Sequence, residues 1–108
     1  MPEVSYDIRK SSFKDFVWVN QGFLFENITD INLELYNHEI IDVQYFDLYG
    51  NLLLVDNLSG SGWKSSSPAG GPFPTGLTAK VKLVNDKGDG TTANIVGGVV
   101  TYNPPYSF

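Results

Sequence analysis

Short stretches in which apolar and polar residues alternate, separated by turns rich in Gly, Pro and Asn, recur along the chain. The clearest runs from Leu77 to Leu83, where Thr78, Lys80 and Lys82 stand between apolar residues. A period of two places successive side chains on opposite faces of a strand, whereas an amphipathic helix needs a period near 3.6. This alternation predicts an all-β fold in which one face of a sheet is buried.

The composition agrees with many short strands joined by tight turns. Aromatic residues make up 14% of the chain, and there are 11 glycines and 6 prolines. Aromatic side chains fit a pleated surface, while Gly and Pro are frequent in turns. The 108 residues correspond to one domain, and 42% of them are hydrophobic, which is enough for a core. We therefore predict a single antiparallel β-sandwich domain, residues 1–108, of about seven to eight strands.

The predicted strands follow the runs of apolar residues between turn signals. Asn37-His38-Glu39 predicts a turn, Gly50 a hairpin, and Gly97-Gly98 a bulge or bend in the last strand. Alternation places Tyr36 on the outward face of its strand. The strands are predicted at residues 4–9, 15–19, 22–26, 31–36, 40–49, 52–55, 77–84 and 91–102.

Residues 59–76 differ in composition from the rest of the chain. They contain five serines, five glycines and three prolines around Trp63 and Phe73. Such a segment has little strand propensity and predicts a loop of about 18 residues, longer than the usual connection in a compact domain. Long loops of this kind often carry function, so Trp63 is a candidate binding residue.

The charge balance excludes two classes of partner. The chain has 7 basic and 12 acidic side chains, giving a net charge of −5 with His38 neutral. Nonspecific binding to nucleic acid and adsorption to anionic membranes both depend on clustered Lys and Arg, which the sequence lacks. Cysteine is absent, which rules out disulfides, thiolate metal sites and a Cys nucleophile.

No motif indicates catalysis, a metal or a cofactor. The single histidine, His38, lies in a predicted turn, and no nucleophile motif accompanies it. Acidic side chains on neighbouring strands, among them Glu34, Asp42 and Asp47, leave a small glycosidase as a third alternative. Asp86 and Asp89 lie in a Gly-rich turn but lack the further carboxylates of an EF-hand loop, so we predict a hairpin turn there.

Aromatic residues exceed what a core of this size needs. A flat row of exposed rings can stack on the apolar faces of sugar rings, while neighbouring polar side chains bind the hydroxyls. Packing in the core is the alternative for each ring. The predicted ligand-binding residues are Trp63, Trp18, Tyr45 and Tyr49.

Several segments follow one another in a recognisable order: the opening residues 4–12, Asn37 and His38 after a strand, and residues 41–45 before Gly50. In the second half the order continues through residues 61–63, 71–73, 77–83 and 85–88. Together these segments resemble the C-terminal domain of expansins and the related grass-pollen group-two allergens. The resemblance implies an immunoglobulin-like two-sheet β-sandwich that binds polysaccharide, above all cellulose, through a planar row of aromatics and without hydrolysis.

The family's aromatic residues have approximate counterparts in this chain. In position along the chain, Phe13, Phe16 and Trp18 correspond approximately to the family's early pair of adjacent aromatic residues, and Trp63 corresponds to its later aromatic residue. No Trp-Trp pair is present. We therefore predict a noncatalytic module, extracellular or at the cell surface, that binds a polysaccharide or another glycan.

A structural or self-associating β-domain is the alternative from a different class, as in an appendage, a coat, a virion or a toxin assembly. Residues 52–55 (Leu-Leu-Leu-Val) and Ile95-Val96 are the candidate edge strands for pairing between copies. Burial of apolar surface would drive that association.

Overall fold

The computed structural model describes residues 3–104. Strands hold 66% of these residues, and none of them forms an α-helix, so none forms a helix able to cross a membrane. The all-β prediction is confirmed. The strands are β1 (Val4–Ile8), β2 (Ser11–Phe13), β3 (Phe16–Trp18), β4 (Phe25–Phe46), β5 (Leu52–Ser66), β6 (Leu77–Asn85) and β7 (Ala93–Tyr102), with short 3-10 turns η1 (Val19–Gly22) and η2 (Pro68–Gly70).

All seven strands belong to one sheet, whose order is β1-β7-β4-β6-β3, with β2 also paired to β7 and β5 to β4. The 22-residue strand β4 is shared by three neighbours. One edge pairs with β5 along most of its length, and the other pairs with β7 in the first half and β6 in the second. The sheet is antiparallel except where β4 pairs with β6 in parallel; it is open and curled like half a barrel, and the predicted division into two sheets is not confirmed.

The turn predicted at residues 37–39 overlaps a bulge inside β4, whose residues 36–38 have no partner in β5. The register between β4 and β5 shifts between Leu35 and Glu39, and pairing continues on both sides. Across the bulge the amide of His38 donates to the Ser61 hydroxyl (3.0 Å). The prediction of two separate strands was wrong because polar residues in a bulge look like a turn.

Glu39 follows the bulge, and its side chain is only 1% exposed. Its carboxylate accepts hydrogen bonds from the Asn37 amide (3.0 Å) and the Asn94 amide (3.1 Å), and Lys87 Nζ lies 3.0 Å from it. Burial raises the pKa of Glu39, but these three donors outweigh burial and lower the pKa below 4.5. The ionised carboxylate thus joins the bulge, the start of β7 and the turn before it.

The core lies on the concave side of the curled sheet. In β4 the same parity is buried before and after the bulge, from Ile31 to Leu35 and again from Ile41 to Tyr45. The alternation predicted for β6 is also confirmed, because its residues Leu77, Ala79, Val81 and Leu83 are all buried. The same alternating inward positions in several strands explain how a short chain fills one continuous core.

Two predicted features shift along the sequence. Strand β5 continues to Ser66, so the loop predicted at 59–76 is shorter and occupies residues 67–76. In β7 the register shift lies beside Val96 rather than at Gly97-Gly98. Gly98 serves close strand packing, since a Cβ there would lie 2.5 Å from the Asn32 carbonyl oxygen.

The buried Glu39 carboxylate predicts a specific pH dependence. Its pKa is lower in the folded than in the unfolded chain, so its contribution is complete above pH 4.5 and is lost as the pH falls through the lowered pKa. Glu39→Gln should reduce the free energy of unfolding at pH 7 by about 3 kcal/mol, because Lys87 then loses its anionic partner. Urea unfolding at several pH values measures both effects.

The exposed Glu26→Gln is the matched control. It should leave the stability at pH 7 within about 0.5 kcal/mol of the original chain. An equal loss in the two variants, or an unchanged acid slope in Glu39→Gln, would contradict this role.

Candidate functional site

Trp63 lies on a strand rather than in a loop. It stands opposite Glu34 in the β4–β5 ladder, and its side chain is 61% exposed. The adjacent residues Gly62 and Lys64 pair with Leu35 and Leu33, so the backbone on both sides of Trp63 is fixed. The ring is therefore exposed on a rigid support.

Tyr36 and Trp63 lie on the same convex side of the sheet. Tyr36, two residues after Glu34, is 66% exposed, which confirms its predicted outward orientation. On the next row the Ser65 hydroxyl donates to the Asn32 side-chain oxygen. Directly opposite residues project to the same face, so these side chains form one surface. We call Asn32, Glu34, Tyr36, Trp63 and Ser65 the outer aromatic face.

The outer aromatic face combines two exposed rings with hydrogen-bonding groups. The Trp63 indole offers a flat apolar surface, and the Glu34 carboxylate and Asn32 amide lie beside it. Beyond Tyr36 is a shallow depression of about 300 Å³, lined by Lys10, Ser12, Tyr36, Asn94, Ile95 and Val96. This combination fits a polyhydroxylated ring, whose faces are apolar and whose edge is polar.

Trp18 belongs to the other half of the sheet. Its ring packs against Phe46, with 5.6 Å between the centroids. Lys82 Nζ lies 5.5 Å from the Trp18 ring and 4.0 Å from the Phe16 ring. Trp18 is thus half-buried within an aromatic and cationic cluster, separate from the outer aromatic face.

A pocket of about 190 Å³ lies beside Trp18, and we call it the seam pocket. It lies between β1 and β3, the two end strands of the open sheet, and β2, β6 and η1 also contribute to its lining. Its apolar lining is Tyr6, Ile8, Val17, Trp18, Val19 and Leu83. Its polar lining is Arg9, Ser11, Asn20 and Gln21.

Tyr49 lies at the tip of the β4–β5 hairpin and is 87% exposed. The Asp47 carboxylate accepts hydrogen bonds from the amides of Tyr49 and Asn51, both at 2.9 Å. The hydrogen bond from the Asn51 side chain has the largest effect on the pKa of Asp47, and it lowers that pKa together with the two amide bonds. The tip is ordered, but Tyr49 is not part of the outer aromatic face.

Tyr45 is completely buried, so its prediction as a surface contact was wrong. Its parity matches that of Ile41 and Val43, whose side chains fill the core. The Ser66 hydroxyl donates to Asp56, so its oxygen accepts the bond from the Tyr45 hydroxyl (2.6 Å). Burial raises the pKa of the Tyr45 hydroxyl well above its usual value.

The remaining polar candidates have structural partners. Asp42 accepts a hydrogen bond from the Asn57 side chain (2.8 Å), and Asp89 accepts one from the Thr91 amide (2.9 Å), as in a hairpin turn. Within residues 3–104, no three His, Cys, Asp or Glu side chains lie close enough together to hold a metal ion.

The structure adds residues that the sequence prediction omitted. Tyr36 could have been selected from strand parity alone. Arg9, Asn20 and Gln21 had no sequence signal, because the curl of the sheet is what brings β1 near β3. The chain matches no protein-family model, and no curated protein matches it significantly.

The different environments of Tyr45 and Trp63 predict effects of different size on the free energy of unfolding. Tyr45→Phe removes a buried hydrogen bond and should lower the free energy of unfolding by about 1 kcal/mol. Trp63→Ala truncates an exposed ring and should change it by less than about 0.5 kcal/mol. Urea unfolding measures both, and a larger loss for Trp63→Ala would show that this ring is packed rather than exposed.

Proposed function

We propose that this chain is a noncatalytic module that binds an extracellular, uncharged polysaccharide through the outer aromatic face. The observation that carries the proposal is the exposure of Trp63 on a paired strand, with Tyr36 exposed on the same side in the adjacent bulge of β4. Rigid rings bind with little loss of conformational freedom, and their area supplies most of the affinity. The side chains of Asn32, Glu34 and Ser65 supply partners for hydroxyl groups.

The charge of this surface favours an uncharged ligand. Glu34 places a carboxylate opposite Trp63, and the chain as a whole has a net charge of −5. Both would repel a polyanion that approached the outer aromatic face. A polymer of neutral sugars, such as cellulose, xylan or chitin, meets no such repulsion.

The resemblance to the expansin C-terminal domain supports the same proposal. It implies binding through surface aromatics, a location outside the cell, no hydrolysis and the finer immunoglobulin-like two-sheet arrangement. Of the four predicted contacts, Trp63 remains the main one, and Tyr36 joins it. Trp18 belongs to a separate site, and Tyr45 and Tyr49 have no role in binding.

Trp63→Ala should weaken retention on the preferred insoluble polysaccharide by about tenfold, and Tyr36→Ala should weaken it less, because the indole offers the larger stacking area. The measurement is depletion of the protein from solution by cellulose, xylan and chitin.

Tyr49→Ala is the matched control, since it removes an exposed ring outside the outer aromatic face. It should leave retention unchanged. Equal retention of Trp63→Ala and the original chain, or an equal loss in Tyr49→Ala, would refute the assignment.

A second candidate is self-association through β5, and a separate observation favours it. Among the described strands β5 pairs only with β4, so its other edge is free over 15 residues. At its start Leu52, Leu53 and Val55 are 51%, 38% and 40% exposed. A long edge with exposed apolar side chains is a template for pairing with another chain.

The prediction that Ile95-Val96 forms an edge strand was wrong. Strand β7 lies inside the sheet, with β1 and β2 on one side and β4 on the other. Ile95 is 1% exposed, and only Val96, at the register shift, is exposed. Pairing between copies is therefore confined to β5 in this candidate.

Self-association through β5 predicts a dimer whose fraction rises with concentration in sedimentation velocity. Val55→Lys should return it to monomer, because a buried, unpaired ammonium opposes strand pairing. The control variant Leu48→Lys, at an exposed position outside β5, should leave the dimer intact. A monomer at every concentration, or dissociation by both variants, would refute this candidate.

A further inference from the structure

The seam pocket has an unusual position in the sheet. It lies between β1, which pairs only with β7, and β3, which pairs only with β6. Backbone groups on the free edges of these two strands have no strand partner among residues 3–104. Unpaired N–H and C=O groups beside a pocket can bind a ligand rich in hydroxyl groups.

The backbone beside the pocket is strained. Asn20 (φ 50°, ψ 43°) and Gln21 (φ 58°, ψ 21°) are both left-handed, and Gly22 follows with φ 82°. Consecutive non-glycine residues rarely adopt this conformation, because it brings Cβ close to the following carbonyl oxygen. Strain of this kind is concentrated at functional sites, and here it places two amide side chains in the pocket lining.

Among the described residues, Arg9 is the only charged one that lines the seam pocket. Of these residues only Lys87 and Glu39 form an ion pair, so no described carboxylate pairs with Arg9. The Arg9 side chain is exposed, and in a chain with a net charge of −5 its guanidinium supplies a local positive charge at the mouth of an apolar pocket. Its planar fork matches a carboxylate in particular.

The size of the pocket limits the ligand. Its volume of about 190 Å³ is below the range of about 300–1,000 Å³ that holds drug-sized molecules. One sugar ring is of suitable size, and an extended oligosaccharide is not. The apolar wall formed by Tyr6, Ile8 and Val17, which pack against the core, suits the face of such a ring.

We propose that the seam pocket binds a single carboxylated sugar ring, a uronic acid, with Arg9 on its carboxylate, Tyr6 and Val17 along its face, Trp18 at its rim, and Asn20 and Gln21 on its hydroxyls. The choice of a sugar rests on the proposed glycan function. The site itself is separate from the outer aromatic face.

The chain has two tryptophans, so Trp63→Phe leaves Trp18 as the only indole reporter. In that background, fluorescence is titrated with glucuronate and galacturonate, and in parallel with glucose and galactose as uncharged counterparts. The uronates should change the Trp18 fluorescence with saturation, and the uncharged sugars should bind at least about tenfold more weakly, because they lack the charge-assisted bond.

Arg9→Gln should weaken uronate binding by about tenfold or more, whereas the matched control Lys14→Gln, outside the pocket, should leave it within twofold. Gln21→Gly should weaken binding while the midpoint of thermal unfolding stays the same or rises, because glycine removes the left-handed strain. If Gln21 had a purely structural role, Gln21→Gly would not weaken uronate binding while leaving the midpoint of thermal unfolding unchanged or higher.

No saturable response to either uronate, equal binding of the uncharged sugars, or an equal effect of Arg9→Gln and Lys14→Gln would overturn the proposal. Failure here is distinct from failure of the glycan function. Retention on insoluble polysaccharide depends on Trp63 and Tyr36, and Arg9→Gln leaves the outer aromatic face intact.

Discussion

The buried carboxylate of Glu39 is the interaction on which the arrangement of this sheet depends. It occupies an inward position of β4, where an apolar residue would otherwise stand, and accepts hydrogen bonds from the bulge and from the start of β7 while paired with Lys87. Burying a charge costs free energy unless each carboxylate oxygen accepts a hydrogen bond, so Glu39 requires its donors at fixed positions. Because the bulge keeps the parity of β4, the buried face continues through it, and the strand can be shared by β5, β6 and β7.

The curl of the sheet produces two surfaces with different chemistry. On the convex side, the β4–β5 ladder presents Trp63 and Tyr36 beside a carboxylate, a composition suited to uncharged sugars. At the seam between β1 and β3, the exposed Arg9 and a strained turn border a small apolar pocket, a composition suited to a carboxylated ring. The proposed neutral polysaccharide and the proposed uronic acid thus bind at separate surfaces of the sheet.

Much of the fold could be predicted from period-two alternation, since β6 and both halves of β4 follow it residue by residue. The parity of Tyr45 with Ile41 and Val43 already indicated burial, and the surplus of aromatic residues obscured that signal. The length of β5 could not be predicted, because Gly60 and Gly62, with φ of 112° and 80°, resemble loop residues although they lie in the ladder. The seam pocket depends on contacts between distant strands, which local patterns do not encode.

Ligand binding at the outer aromatic face can be followed through the indole N–H resonances of the two tryptophans, assigned with the Trp63→Phe variant. Soluble oligosaccharides of cellulose, xylan and chitin are titrated while both resonances are followed by NMR. Binding at the outer aromatic face predicts that one series shifts the Trp63 resonance with saturation and leaves Trp18 unchanged, because the two rings lie in separate halves of the sheet. A Trp63 resonance that stays fixed with every series, or a shift confined to Trp18, would refute polysaccharide binding at the outer aromatic face.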